Sequence, residues 1–127
     1  LNKIDANEAP VINGDGTQAY DFIDVEDVGR SNVCALQAEA EDESYNVGTG
    51  VQTSIKDLCE TILDLKRSDL KVTYNPYSED DARRLVQNRI GCPEKAKRDL
   101  SFEYEYDLKT GLQRLIDWRK ENGVDIS

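Results

Sequence analysis

The chain has 127 residues, a formal net charge of −10 and no histidine. A domain of this length can bury a substantial core, but the negative charge excludes a surface that binds a nucleic-acid backbone, which requires a basic face. Without histidine, and with three widely spaced cysteines, the sequence also excludes a zinc site and an imidazole-activated nucleophile.

The predicted elements alternate between helices and strands, as is typical of an α/β protein. Glycines, prolines and polar clusters separate them. In chain order they are a helix end in 1–9, a short extended piece at 11–12, a strand over 18–25, a helix to about 38, a strand over 45–47, a helix from 55, a strand over 70–74, a brief strand over 86–90, a short helix from 93 to 100 and a last helix from 108 to 123.

Three of these helices begin after a residue that can cap them. Asp24 and Asp107 each precede an apolar-patterned segment, and a side-chain oxygen at this position accepts hydrogen bonds from the first free amides. Ser54 and Asp57 form a pair that resembles a capping box. The helix after Asp24 is predicted to bury one stripe, made of Val25, Val28, Asn32, Ala35 and Leu36.

Two glycine motifs could each form either a ligand-binding loop or an ordinary turn. Gly48-Thr49-Gly50 stands between a predicted strand and a helix, as a dinucleotide fingerprint does, but Thr53 occupies the third glycine position. We interpret this motif as a strand-to-helix turn. Gly14-Asp15-Gly16 has no lysine and no helix behind it, so it is predicted to be a turn in which glycine adopts a positive φ.

A group of acidic residues suggests metal binding or paired-carboxylate catalysis at first sight. The spacing of a calcium loop is absent, and a helix start favours acidic residues for capping and for the helix dipole. We therefore interpret these residues as structural: Asp21, Asp24, Glu26 and Asp27.

Basic residues concentrate at Arg83 and Arg84, with Arg89 beyond them. Arginines in a predicted loop of so acidic a chain form either a fork for phosphate or a solvated surface, and the sequence leaves both open. Cys34 and Cys59 lie on apolar helix stripes and are predicted to be core thiols, reduced as in the cytoplasm. The absence of methionine indicates a piece cut from a longer chain.

Five segments of the chain carry a family resemblance when they are taken in order. They are residues 10–28, residues 45–50 with 53–55, residues 95–96, residues 100–102, and residues 108–112 with Ile116 and Trp118. Together they resemble the C-terminal portion of extended short-chain dehydrogenase/reductases that act on nucleoside-diphosphate sugars. The UDP-sugar epimerases are the most similar subgroup, and the dehydratases are close behind.

This resemblance implies a Rossmann-type parent enzyme of carbohydrate metabolism whose first, NAD-binding half is absent here. Residues 1–127 would be one substrate-binding fragment with about four helices, and residues 24–55 would pack on the missing Rossmann sheet. In the family the chemistry belongs to a Tyr-x-x-x-Lys pair and bound NAD. No tyrosine of this chain has a lysine four residues later, so the chain alone is predicted to be inactive and to bind no cofactor.

The resemblance also implies a binding site for a nucleoside-diphosphate sugar. Val11, Ile12 and Asn13 resemble the backbone edge that lies against the base and the ribose. Asn46 matches an asparagine that contacts the nucleotide in some members. These residues would position the nucleoside.

The diphosphate contacts depart from the family pattern. Tyr20 stands where many relatives carry an arginine, and its hydroxyl can donate one hydrogen bond without charge. Arg83 or Arg84 would match a second diphosphate arginine, and Arg89 is the alternative. No metal site is expected.

Two rival functions stay open at this point. The chain could be a stand-alone acidic binding or interaction module without a catalytic role, or an acidic scaffold without a ligand. An isolated fragment would expose the apolar face of residues 28–36, which would pack on the missing half or lead to self-association.

Overall fold

The computed structural model describes residues 1–78 and 86–123. Helices and short strands alternate along these ranges, which confirms the predicted α/β class. The elements are α1 (Asn2–Asp5), β1 (Val11–Asn13), β2 (Ala19–Tyr20), α2 (Val25–Gln37), β3 (Thr53–Ser54), α3 (Ile55–Lys66), β4 (Thr73–Asn75), β5 (Asn88–Arg89), α4 (Glu94–Leu100) and α5 (Leu108–Glu121).

The strands form two small sheets. β1 and β4 pair in parallel, with Ile12 opposite Tyr74. In the second sheet β2 lies in the middle, antiparallel to β3 and parallel to β5. The turn between β1 and β2 contains Gly14 and Gly16, whose φ angles are +87° and +79°. The predicted positive-φ turn is therefore confirmed.

The predicted caps are all present. Asp24 accepts a hydrogen bond from the amide of Glu26, and Asp107 accepts one from the amide of Thr110. At the start of α3 the Ser54 hydroxyl accepts from the Asp57 amide at 3.0 Å and donates to its carboxylate at 2.7 Å. These local bonds fix where three helices begin.

One apolar cluster lies between α2 and the α4 region. Phe102 and Ala96 are almost fully buried there, together with Leu100. Cys34 of α2 packs against this cluster, as predicted for a core thiol. Elsewhere α1 is held between α3 and α5, because Asp5 forms ion pairs with Lys66 and with Arg119.

The buried face of α2 is polar, contrary to the stripe predicted from the apolar residues. Asp27 is fully buried and Ser31 is 3% exposed, whereas Val25 is 80% and Leu36 is 86% exposed. Val28 also belongs to the exposed face, at 38%. The reason is that Asp27 accepts hydrogen bonds from the backbone amides of Glu105 and Tyr106, so this polar face turns inward.

Three predicted strands differ from the structure. The strand over 18–25 is limited to Ala19–Tyr20, since the next residues turn away to place the Asp24 cap. The strand over 70–74 is shifted to Thr73–Asn75. Residues 45–47 form no strand, because within the described ranges no backbone lies alongside them to complete a ladder.

Within the same ranges, no helix is both long and apolar enough to cross a membrane. The described residues also contain no cluster of acidic and cysteine side chains that could hold a metal ion.

Substitution of Gly14 by alanine is expected to lower the free energy of unfolding by about 2 kcal/mol, since a side chain at this positive φ is strained. A Cβ there would also lie 2.1 Å from Cε2 of Tyr77, so the ring would have to move. Gly29→Ala is the matched control. Gly29 is helical with open space around it, and we expect a gain of roughly 0.5–1 kcal/mol. Urea unfolding measures both changes, and equal effects would contradict this account.

Protonation of Asp27 should destabilise the fold at low pH. Burial raises the pKa of Asp27, but the amides of Glu105 and Tyr106 and the Arg30 guanidinium outweigh burial and hold the pKa below its usual value. A carboxylate whose pKa is lower in the folded than in the unfolded state stabilises the fold. This contribution is complete above the unfolded-state pKa of about 4, and it is lost as the pH falls through the folded-state pKa. The stability difference between the native chain and Asp27→Asn, followed by urea unfolding, should therefore shrink below about pH 4. A stability difference that stays constant with pH would contradict this role of Asp27.

Candidate functional site

Tyr20 and Arg89 lie side by side on two parallel strands. They are register partners in the β2–β5 pair, and the amide of Asp21 donates to the Arg89 carbonyl at 3.0 Å. Register partners on neighbouring strands project to the same face of a sheet, about 4.8 Å apart. The sheet thus places Tyr20 and Arg89 at adjacent positions, and the Arg89 guanidinium is the group of the two that can attract an anion.

The Arg89 side chain is exposed, and it forms no ion pair with any residue in the described ranges. The Tyr20 ring is better fixed. It packs edge-on against Phe22 with ring centroids 6.3 Å apart, and its hydroxyl donates a long hydrogen bond of 3.4 Å to the Val86 carbonyl. Because Arg89 has no neutralising partner within the described ranges, it can bind an anionic ligand without breaking an existing ion pair.

The β1 edge presents alternate side chains to solvent. Val11 is 48% exposed and Asn13 is exposed, while Ile12 is buried at 3%. The backbone of β1 is paired with β4, and the side-chain amide of Asn75 donates to the side-chain oxygen of Asn13 at 3.3 Å. Of the three predicted residues on this edge, two offer exposed side chains, and Ile12 serves to anchor the strand.

The predicted site residue Asn46 lies in an irregular segment and is exposed. Two residues later Gly48 begins a turn that is bound to Asp21, the neighbour of Tyr20. The Asp21 carboxylate accepts hydrogen bonds from the amide and hydroxyl of Thr49 and from the amide of Gly50. Asn46 therefore precedes a turn that is tied to β2, and its role stays a prediction.

The contacts of this turn also show whether the Gly48-Thr49-Gly50 motif can bind a pyrophosphate. The amides of Thr49 and Gly50 already donate to Asp21, so they are not free to hold a pyrophosphate. A Cβ on Gly48 would lie 2.4 Å from the Asp21 carboxylate, which explains why glycine is required there. Residues 48–50 therefore form a bend that is bound to Asp21, whereas the strand that the predicted strand-to-helix turn would follow does not form at residues 45–47.

The acidic residues near β2 have structural roles, as predicted. Asp21 holds the turn described above, Asp24 caps α2, and Glu26 pairs with Arg114. Asp27 joins α2 to residues 105–106 and bonds Arg30. Each of these carboxylates therefore already binds amides or cations of the chain.

Arg83 and Arg84, both predicted to contact a diphosphate, lie outside the described residues. Their assignment stays a prediction, and the geometry of the candidate site rests on Arg89.

A groove next to β2 was not recognised from the sequence. It has a volume of about 570 Å³ and its walls include Gln18, Tyr74, Tyr77 and Gln87. A signal was available in the alternation of β5, because Gln87 and Arg89 are two residues apart and so share a face. The sequence could not show that β5 pairs with β2, since the two strands are far apart along the chain.

Known proteins with similar sequences cover nearly the whole chain. A family model for the NAD dependent epimerase/dehydratase family matches residues 1–48. A putative UDP-glucose 4-epimerase of Methanocaldococcus jannaschii is 32% identical over 122 residues, which are 96% of this chain and 38% of that protein. A UDP-glucuronate 4-epimerase of Thermodesulfobacterium geofontis is 33% identical, over 91% of this chain and 35% of its own length. The chain thus spans little more than a third of these curated relatives.

Solved structures show the same correspondence. The UDP-glucose 4-epimerase of Thermotoga maritima, crystallised with UDP-glucose, superposes with a TM-score of 0.85 at 28% identity over 94% of this chain and 37% of that one. A UDP-N-acetylglucosamine 4-epimerase of Methanobrevibacter ruminantium gives 0.84 at 25% identity, over 95% of this chain and 37% of that one. A dTDP-glucose 4,6-dehydratase of Bacillus anthracis, at 21% identity over 95% of this chain and 37% of that one, shares the fold with a TM-score of 0.83.

Proposed function

We propose that this chain, which belongs to the NAD-dependent epimerase/dehydratase family, is the nucleotide-sugar-binding portion of a UDP-sugar 4-epimerase. The observation that carries the proposal is the 32% identity to a putative UDP-glucose 4-epimerase along 96% of the chain. The position of the exposed Arg89 supports it, because Arg89 offers a diphosphate a positive charge that no ion pair within the described ranges neutralises.

In this function the chain binds and orients, and the chemistry takes place elsewhere in the parent protein. Arg89, with Arg83 and Arg84 as further predicted contacts, neutralises the diphosphate. Val11 and Asn13 on β1 position the nucleoside, and Asn46 is a further predicted contact. Binding energy from the nucleotide, which does not react, then holds the sugar in place for reaction.

NAD belongs to the remainder of the parent protein in this proposal. The Gly48-Thr49-Gly50 motif does not fit its pyrophosphate, because the amides of Thr49 and Gly50 already donate to Asp21. We therefore assign no step through NAD to this chain. The chain also has no Tyr-x-x-x-Lys pair, so by itself it should be inactive.

The exposed apolar face of α2, formed by Val25, Val28 and Leu36, supports a contact with that remainder. We propose that residues 24–55 pack on its Rossmann sheet, which would remove this face from water. A cytoplasmic location is part of the proposal, supported by the free thiols of the chain, of which Cys92 is exposed.

The test is an epimerase assay on the protein that contains this chain. We expect interconversion of UDP-glucose and UDP-galactose, and binding of UDP by calorimetry that weakens as salt increases. Binding without turnover would favour the stand-alone binding module. If the protein neither binds UDP nor converts the sugar, the acidic scaffold is favoured and the proposed function is overturned.

A further inference from the structure

Asp21 lies where three segments of the chain meet. It directly follows β2, and its backbone amide donates to the carbonyl of Arg89 on β5 at 3.0 Å. Its carboxylate accepts from the amides of Thr49 and Gly50 at 3.0 and 2.9 Å. These amides belong to the bend that follows Asn46, so one residue joins the two segments that carry predicted ligand contacts.

Two glycines from different segments enclose the Asp21 carboxylate. A Cβ on Gly48 would lie 2.4 Å from its oxygen Oδ2, and a Cβ on Gly91 would lie 3.3 Å from the same atom. The Gly91 Cβ would also lie 3.9 Å from the Cα of Gly48, so the two backbones approach each other at this carboxylate. Neither glycine has a positive φ. The space that Asp21 occupies, and not backbone strain, therefore favours glycine at both positions.

The contacts of Asp21 set the separation of two predicted ligand contacts. Asn46 stands two residues before Gly48, and Arg89 stands two residues before Gly91. Two residues of extended chain span at most about 7 Å. Both side chains are thus attached close to the point where the carboxylate holds the backbones together, and a shift of the bend or of the end of β5 would change the distance between them.

Asp21 is suited to positioning and not to binding an anion. Its negative charge would repel a diphosphate. Within the described ranges its carboxylate binds the bend and forms no ion pair with Arg89, so the guanidinium stays available for a ligand. Hydrogen bonds to an ionised acceptor are stronger than those between neutral groups, which makes a carboxylate an effective clamp for backbone amides.

We propose that Asp21 is a positioning residue of the nucleotide site, which holds Arg89 and Asn46 at the separation that a nucleoside diphosphate requires without contacting the ligand. This role rests on the proposed function. It gives Gly48 and Gly91 a part in the site as well, because each leaves the space in which the carboxylate lies. A residue with this role acts on ligand affinity through Arg89.

The experiment is a double-mutant cycle on the protein that contains this chain, with UDP binding measured by calorimetry. In Asp21→Asn the amino group that replaces one oxygen cannot accept from the bend. UDP affinity should then fall about tenfold, the effect of one lost charge-assisted hydrogen bond. In the Arg89→Ala background the same substitution should change affinity about twofold or less, because residues that act together are not additive.

Gly91→Ala is a second variant, which keeps Asp21 and all of its donors. The added methyl group would displace the carboxylate slightly, so UDP affinity should fall, but by less than in Asp21→Asn. Asp107→Asn is the matched control. The Asp107 carboxylate accepts from the amide of Thr110 at the start of α5, so this variant makes the same chemical change outside the β2–β5 pair. It should leave UDP binding unchanged.

The outcomes separate the positioning role from the proposed function. If the native protein binds UDP, three results would each overturn the role of Asp21 alone: unchanged affinity in Asp21→Asn, losses that multiply in the double variant, or an equal loss in Asp107→Asn. If the native protein does not bind UDP, both the role and the proposed function are wrong. Circular dichroism shows whether each variant folds, and if Asp21→Asn does not, the same cycle with Gly91→Ala decides the question.

Discussion

Asp27→Ala is expected to lower the free energy of unfolding by roughly 3–5 kcal/mol, the usual cost of removing one partner from a buried charge pair. The Asp27 side chain is completely buried. It accepts from the amides of Glu105 and Tyr106 at 2.9 and 3.1 Å and from the Arg30 guanidinium at 2.5 Å. Alanine would leave the two backbone amides without this acceptor, while Arg30 would keep the Glu103 carbonyl and the Glu105 carboxylate. Urea unfolding followed by circular dichroism measures the loss.

The adjacent acidic residue provides a matched control. Glu26 also forms an ion pair, with Arg114, but its side chain is 60% exposed, so solvent screens the pair. Glu26→Ala should therefore cost a small fraction of what Asp27→Ala costs. Asp27→Asn, which retains one acceptor oxygen, should lie between them. If the neighbouring substitutions prove equally damaging, the buried network does not join α2 to residues 105–106 as the structure indicates.

Arg89→Ala is expected to weaken binding of a nucleoside diphosphate by the protein that contains this chain roughly 10- to 100-fold. Charge-assisted hydrogen bonds contribute about 1.5–3 kcal/mol, and Arg89 is the described cation beside Tyr20. The salt dependence of binding should flatten in the same variant, since a screened attraction has been removed. Calorimetric titration with UDP at two salt concentrations measures both effects.

Two further variants test this assignment. Arg89→Lys keeps the charge but loses the planar fork, so its affinity should be intermediate. Lys109→Ala removes an exposed positive charge near the start of α5, which belongs to neither strand of the β2–β5 pair, and should leave UDP binding unchanged. An equal loss in Lys109→Ala and Arg89→Ala would show that net charge, and not position on β5, governs binding.

Local signals predicted the helices well and the strands poorly. Asp24, Ser54 and Asp107 could be recognised as caps because a cap depends on residues within one turn of the helix. A strand instead requires a partner that is distant in sequence, so residues 45–47 look like a strand but have no ladder in the described ranges. Hydrophobic periodicity also failed for α2, where the inward face is fixed by Asp27 and not by the valines.

The candidate site shows the same division. Arg89 and Tyr20 were named separately from the sequence, but their pairing depends on β5 lying parallel to β2 across almost seventy residues. Gln87 and Tyr77 carried no motif, and only the groove that they share with Gln18 makes them candidates. Arg83 and Arg84 remain sequence-based predictions.

By itself, the sequence determined the α/β class, the helix starts, the positive-φ turn and the family, since all of these depend on residues that are close together along the chain. Tertiary structure decided which face of α2 is buried, what Asp21 and Asp27 bind, and which side chains meet beside β2. Those outcomes depend on backbone amides and strand edges brought together from distant segments, and a buried polar group must find its partner wherever the fold places one.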